Sequence, residues 1–185
     1  MPGRGDLNGR RWAGHQLLRA WARFVGDSTL TLAHPDPKTL HDLQPLLEKS
    51  GFQGQLKPLG LVHPQPFRDC GGMFLPDPSI GRWAQWRQTV GADAFSLIGQ
   101  IHTISTPTAL GFLQELITDP VQPWDALICS STAGREVVKG VLDLREQQLL
   151  ERFGVSEAAG CVPRPQLPVI PLPLPIEAFA KPAPA

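Results

Sequence analysis

Apolar positions along the chain switch between helical and extended spacing several times. Leu17, Leu18, Trp21, Phe24 and Val25 recur at helical intervals with Arg19 and Arg23 on the other side, which predicts a helix from about Trp12 to Val25, stopped by Gly26. Ser28–Ala33 reads as a short strand and His34-Pro35-Asp36-Pro37 as a turn. Asp36 is placed to cap a helix running from Pro37 toward Lys49, with Leu40, Leu43 and Leu47 inward and a kink or break at Pro45. Leu56–Val62 predicts an edge strand, because Pro58 cannot donate to a ladder. His63–Pro78 is rich in proline and glycine and predicts a long loop. Ser79 then caps a helix carrying Ile80, Trp83, Arg87 and Val90.

The stretch from Asp93 to Ile101 is an apolar run of strand length that ends at His102-Thr103. Thr106 is an N-cap residue type and Pro107 suits the first helical position, so the next helix, with Leu110, Leu113, Leu116 and Ile117, begins there. Pro120–Pro123 is a turn and Trp124–Ser131 a strand. Ser131 or Thr132 caps the longest helix, about Ala133 to Phe153, whose apolar stripe includes Val137, Val138, Val141 and Leu142 and which Gly154 terminates. Leu167–Leu172 is a last short strand, and residues 173–185 form a Pro-rich linker or tail. Strands alternating with helices predict an α/β, Rossmann-like lobe over residues 1–172, with a mainly parallel sheet and helices on both faces.

Composition narrows the setting. The 185 residues are 42% hydrophobic, enough for a packed core. Lys+Arg and Asp+Glu both number 17, and a formal net charge of zero argues against a nucleic-acid footprint. No apolar run reaches membrane-spanning length, and the N-terminus lacks the apolar core of a signal peptide. Cys70, Cys129 and Cys161 form no Cys-x-x-Cys, so neither a disulfide framework nor a zinc site is expected, and a cytoplasmic setting is the simplest.

Candidate chemistry concentrates at strand ends. His102 sits at the carboxyl end of a buried strand, where open α/β sheets bind ligands, although a histidine there is more often structural. Ser130 and Ser131 lie where a strand feeds a helix, which suits either N-capping or a hydroxylated or anionic ligand. Arg135 in the first helical turn opposes the helix dipole, so an anionic ligand or a carboxylate partner would account for it. Gly9-Arg10-Arg11-Trp12-Ala13-Gly14-His15 lets backbone approach a ligand, and its arginines suit phosphate, without matching a dinucleotide or P-loop motif. Cys129 lies inside an apolar strand, where thiols are packing groups. Asp69 and Asp77 fit turn formation better than acid–base work, and His34, His41, His63 and Cys70 are too scattered for a metal set.

Trp124–Arg135, the long helix after it, Arg152-Phe153-Gly154 and Arg164–Leu172 together resemble the N-terminal lobe of group 1 (family 4) glycosyltransferases. Gly9–Gly14 with Leu18-Arg19-Ala20 resembles that lobe's first loop and helix, and Ile101-His102-Thr103-Ile104 its strand-end histidine. The resemblance implies a GT-B enzyme that transfers a hexosyl group with retention from a UDP- or GDP-sugar to a carbohydrate or lipid-linked acceptor, with no cofactor and no obligatory metal. It implies that Gly9, Arg10 and Gly14 approach donor phosphates or acceptor, that His102 contacts the donor sugar, and that Ser131 and Arg135 line the acceptor side. The chain departs from the family pattern in three ways. No strand precedes the glycine loop, so the first strand of the lobe is missing. The linker reads Pro171-Leu172-Pro173-Leu174-Pro175 instead of Pro-Leu-Gly-Val-Asp. The chain ends at Ala185 without a donor-binding C-terminal lobe, so the isolated polypeptide, a fragment or half of a split enzyme, is expected to be inactive. The alternative is a carbohydrate- or partner-binding module that does no chemistry. An α/β hydrolase would need a Gly-x-Ser-x-Gly motif, which is absent.

Overall fold

The computed structural model describes residues 17–24, 28–36, 43–155 and 162–172. It is α/β, with strands in two small all-parallel sheets. The chain divides into two compact units, residues 1–63 with 172–185 and residues 64–171.

In the first unit, residues 17–24 form helix α1. Strand β1 (Leu30–His34) pairs in parallel with β2 (Leu56–Gly60), Leu30 opposite Leu56 and His34 opposite Gly60. Both strands of a two-stranded sheet are edges, which is why β2 tolerates Pro58. Helix α2 (Gln44–Glu48) carries Pro45 in its first turn, where a proline forfeits no helical hydrogen bond. The Gln44 carboxamide oxygen accepts from Leu56 N at 3.1 Å and ties α2 to β2. Ala22, Leu30, Leu47 and Phe52 make a small core, with Leu18, Leu32 and Leu56 packed on it. The expected helix start at Pro37 lies outside the described residues.

The second unit runs through a 3-10 helix (Gln65–Cys70), β3 (Gly72–Phe74), α3 (Ile80–Gln88), β4 (Ser96–Gln100), α4 (Pro107–Thr118), β5 (Ala126–Ile128) and α5 (Thr132–Phe153). The strand order is β3-β4-β5, all parallel, with Phe74 opposite Ile98 and Ile98 opposite Ala126. Bridges from Ala126 to Gln166 and from Cys129 to Val169 add a fourth parallel line. Helices α3, α4 and α5 pack on one another in that order. The long loop expected over His63–Pro78 is therefore structured. Phe67 of the 3-10 helix is buried edge-on against Trp86, their ring centroids 5.1 Å apart, and Gly71 takes a φ of 68° to lead into β3. Gly99 permits close packing of α3 on β4, because a Cβ there would lie 2.7 Å from Ile80 Cγ2 and 2.9 Å from the Asp77 carbonyl oxygen.

Two ion-pair systems hold this unit. Arg87 and Asp125, both side chains 0% exposed, form a fork with N–O distances of 2.6 and 2.8 Å. Arg87 also donates to the Phe95 carbonyl at 2.7 Å, and Asp125 accepts from Leu97 N and Gln122 N at 2.8 Å each. One pair thus joins α3, the approach to β4, β4 itself and the turn before β5. Trp124 and Asp125 belong to that turn, so β5 begins at Ala126 instead of Trp124. On the other flank, Arg164 bonds Asp143 at 2.5 Å and also Glu146, and Val162 N donates to Glu146 at 3.2 Å, which fastens the fourth strand line to α5. The Arg164 hydrogen bond holds the Glu146 carboxyl below the usual glutamate range, against the opposing effect of burial.

Three outcomes follow from these pairs. Asp125→Asn should destabilise the protein by about 3 kcal/mol or more in urea titration, since it strands a buried guanidinium. A double Arg87→Met, Asp125→Leu variant should not recover that loss, because Leu97 N and Gln122 N would lose their acceptor. The Glu146 contribution is present above the unfolded glutamate value of about 4.3 and is lost as pH falls through the lower folded value. Glu146→Gln should therefore lower the urea midpoint at pH 7 and flatten its decline in mild acid.

Candidate functional site

The site is built where β4 and β5 end and α4 and α5 begin. Thr106 has extended backbone and its hydroxyl accepts from Ala109 N at 3.2 Å, so α4 starts at Pro107 as its residues dictate. Ser131 caps α5 in the same way, accepting from Gly134 N at 3.1 Å. Gln100 lies opposite Ile128, and Ile101 N donates to the Ile128 carbonyl at 3.0 Å. β4 ends at Gln100 and β5 at Ile128, so His102 and Ser130 each lie two residues beyond the end of their strand.

Between these ends lies an open cleft of about 310 Å³, lined among others by His102, Thr103, Ser130, Ser131, Gly134 and Val137. His102 and Ser130 are half-buried and Ser131 is exposed. Neither α4 nor α5 carries an acidic residue in its first turn, so the positive end of each dipole is uncompensated there. The lining has hydroxyls, one imidazole and apolar carbon, and no carboxylate or ammonium. Its volume is at the small end of ligand sites, roughly 300–1,000 Å³. The arrangement suits a compact, uncharged, hydroxyl-rich ligand, or the hydroxylated end of a larger one.

Of the residues singled out from sequence, the structure brings together His102, Ser130 and Ser131. Arg135 follows in the first turn of α5, but its guanidinium bonds the Glu136 carboxylate at 3.1 Å instead of lining the cleft. That pair supplies the carboxylate its position called for, and with Lys139 it holds the Glu136 carboxyl below its ordinary range. Gly9, Arg10 and Gly14 lie outside the described residues. Cys129 is fully buried, its Sγ 3.6 Å from the Leu127 carbonyl oxygen, and burial raises its thiol above the ordinary value despite the nearby Arg135 charge. Asp77 makes a turn, accepting from Ser79 N at 3.0 Å and from the Ser79 hydroxyl at 2.5 Å. Ser79 therefore does not cap α3 with its side chain as expected.

Val137, read as part of the apolar stripe of α5, is 43% exposed and lines the cleft. Ala133 and Val137 are four residues apart and so share a helix face, which was the available signal for this wall. A second groove, of about 340 Å³, lies on the α3–α4 surface among Arg82, Gln85, Glu115 and Asp119, which pair with one another. Among the described residues no three His, Cys, Asp or Glu side chains converge as a metal set, and no helix is long and apolar enough to cross a membrane. Compared with protein-family models, curated proteins and solved structures, the chain matches none.

Two outcomes test this geometry. Ser131→Ala should cost about 1 kcal/mol of stability by thermal or urea denaturation, through the lost cap. Iodoacetamide at pH 8 should modify the exposed Cys70 well before Cys129, read by peptide mass mapping.

Proposed function

We propose that the cleft is the acceptor-side wall of a glycosyl-transfer centre, serving retaining transfer of a hexosyl group from a UDP- or GDP-sugar. The observation that carries this reading is the meeting of His102 with Ser130 and Ser131 in one neutral cleft at the carboxyl ends of adjoining parallel strands. In this reading His102 hydrogen-bonds a sugar hydroxyl and stabilises charge that develops in transfer, which works best in a water-poor site. Ser131 and its neighbour Ser130 orient an acceptor hydroxyl. The opposite wall is a nucleotide-binding lobe of the GT-B kind, and no metal is required of the residues on this side.

A second reading is a carbohydrate-binding module without chemistry. The absence of a carboxylate from the cleft lining favours it, because nothing there is built to move a proton at neutral pH apart from the imidazole.

The test is a ¹⁵N NMR titration of the chain with UDP-glucose, GDP-mannose, free UDP and methyl hexosides. Hexose-containing ligands should shift residues 101–104 and 130–137, and His102→Ala should weaken binding at least tenfold without changing the melting temperature by more than a degree or two. Supplied with a donor-binding lobe in trans, the chain should support hexosyl transfer that His102→Ala reduces by a hundredfold. Binding of methyl hexosides with no transfer would favour the module, and absence of any shift at these residues would remove the cleft from both readings.

A further inference from the structure

The residues that line the cleft divide by element. The segments that follow β4 and β5 bring the imidazole of His102 and the hydroxyls of Thr103, Ser130 and Ser131. Helix α5 brings Ala133, Gly134 and Val137, whose side chains carry no polar atom. Val137 is the largest of these and is 43% exposed. Fold stability does not account for it. The core beneath α5 is filled by Val138 and Leu142, 0% and 1% exposed, from another side of the helix. At an exposed helical position valine is a poorer choice than alanine, leucine or lysine, because its two branches restrict χ1. Leu144 and Phe153 are also exposed on α5, but neither lines the cleft. The branching that weakens the helix makes Val137 a stiff wall, since one χ1 rotamer dominates.

We propose that Val137 is a ligand-binding, specificity-determining residue of the cleft, its methyl groups packing against one C–H face of a hexopyranose ring whose hydroxyls meet the His102 and serine side. This rests on the hexose reading above and narrows its substrate class to closed sugar rings with an unbroken C–H face. An all-equatorial pyranose is amphipathic: its hydroxyls point outward around the rim and its axial hydrogens lie on two flat faces. An open-chain polyol has the hydroxyls without the faces, so an apolar wall tells the two apart. Val137 takes no part in bond making.

The experiment titrates methyl β-glucopyranoside and sorbitol into the wild-type chain, Val137→Thr and Val137→Ala. Val137→Thr keeps the branched shape and exchanges one methyl for a hydroxyl. In wild type, nuclear Overhauser contacts should run from the Val137 methyls to one axial set of ring hydrogens, either H1, H3 and H5 or H2 and H4. The glucoside should bind about tenfold more tightly than sorbitol. Each variant should lose roughly fourfold or more of the glucoside affinity, the contribution of one methyl group taken out of water, with sorbitol affinity unchanged. Melting temperature should hold in Val137→Thr and hold or rise in Val137→Ala. Shifts at residues 101–104 and 130–131 without contacts to Val137, or unchanged glucoside affinity in both variants, would make Val137 an ordinary exposed residue and overturn the inference while leaving the hexose reading standing. Sorbitol bound as tightly as the glucoside would do the same. No shift at any cleft residue would end both.

Discussion

Everything in the larger unit depends on one guanidinium and one carboxylate placed where water does not reach. Removing two charges from water is costly, and an isolated contact does not repay it. Here the cost is offset by the hydrogen bonds that both groups make, with only the Arg87 Nε left unpartnered among the atoms of the pair. Asp125 receives two guanidinium N–H groups and two backbone N–H groups, and Arg87 gives a further hydrogen bond to Phe95. Those partners come from a helix, a strand, a loop and a turn, so none of these can shift without stranding a charge. The pair ties β4 and the turn before β5 to α3 in a single arrangement.

That arrangement fixes the cleft. β4 and β5 are parallel and in fixed register, so both strands release the chain at the same edge, and the helices that follow start there too. Hydroxyl caps, an imidazole and two helix N-termini are thereby gathered without any contact specific to a ligand. Cavity walls made this way are stiff at their base and open at their rim, which suits recognition of small polar molecules.

Local features were legible in the sequence, distant ones were not. Thr106-Pro107, Ser131 and Gly154 announced helix ends because capping is decided within three or four residues, and all three act as read, Gly154 with φ 64°. Parallel α/β architecture followed from the alternation of periods. β3 escaped because three residues are too few to display a period, and the prolines and glycines around it looked like a loop. Arg87 and Asp125 escaped because 38 positions separate them and nothing local marks either as buried. Val137 was read as part of an apolar stripe, and periodicity names such a face without saying what covers it. In the cleft, His102 and Ser131 were found through their strand-end positions.

The fourth strand line has a consequence for self-association. Its even positions engage β5, through Gln166 N to Asp125, Leu127 N to Gln166, Cys129 N to Pro168 and Ile170 N to Cys129. Outward-turned backbone therefore falls at 165, 167, 169 and 171, and the first and last of these are prolines. An incoming strand from another molecule would meet two missing donors in a row of four, so this rim is a poor template for runaway polymerisation.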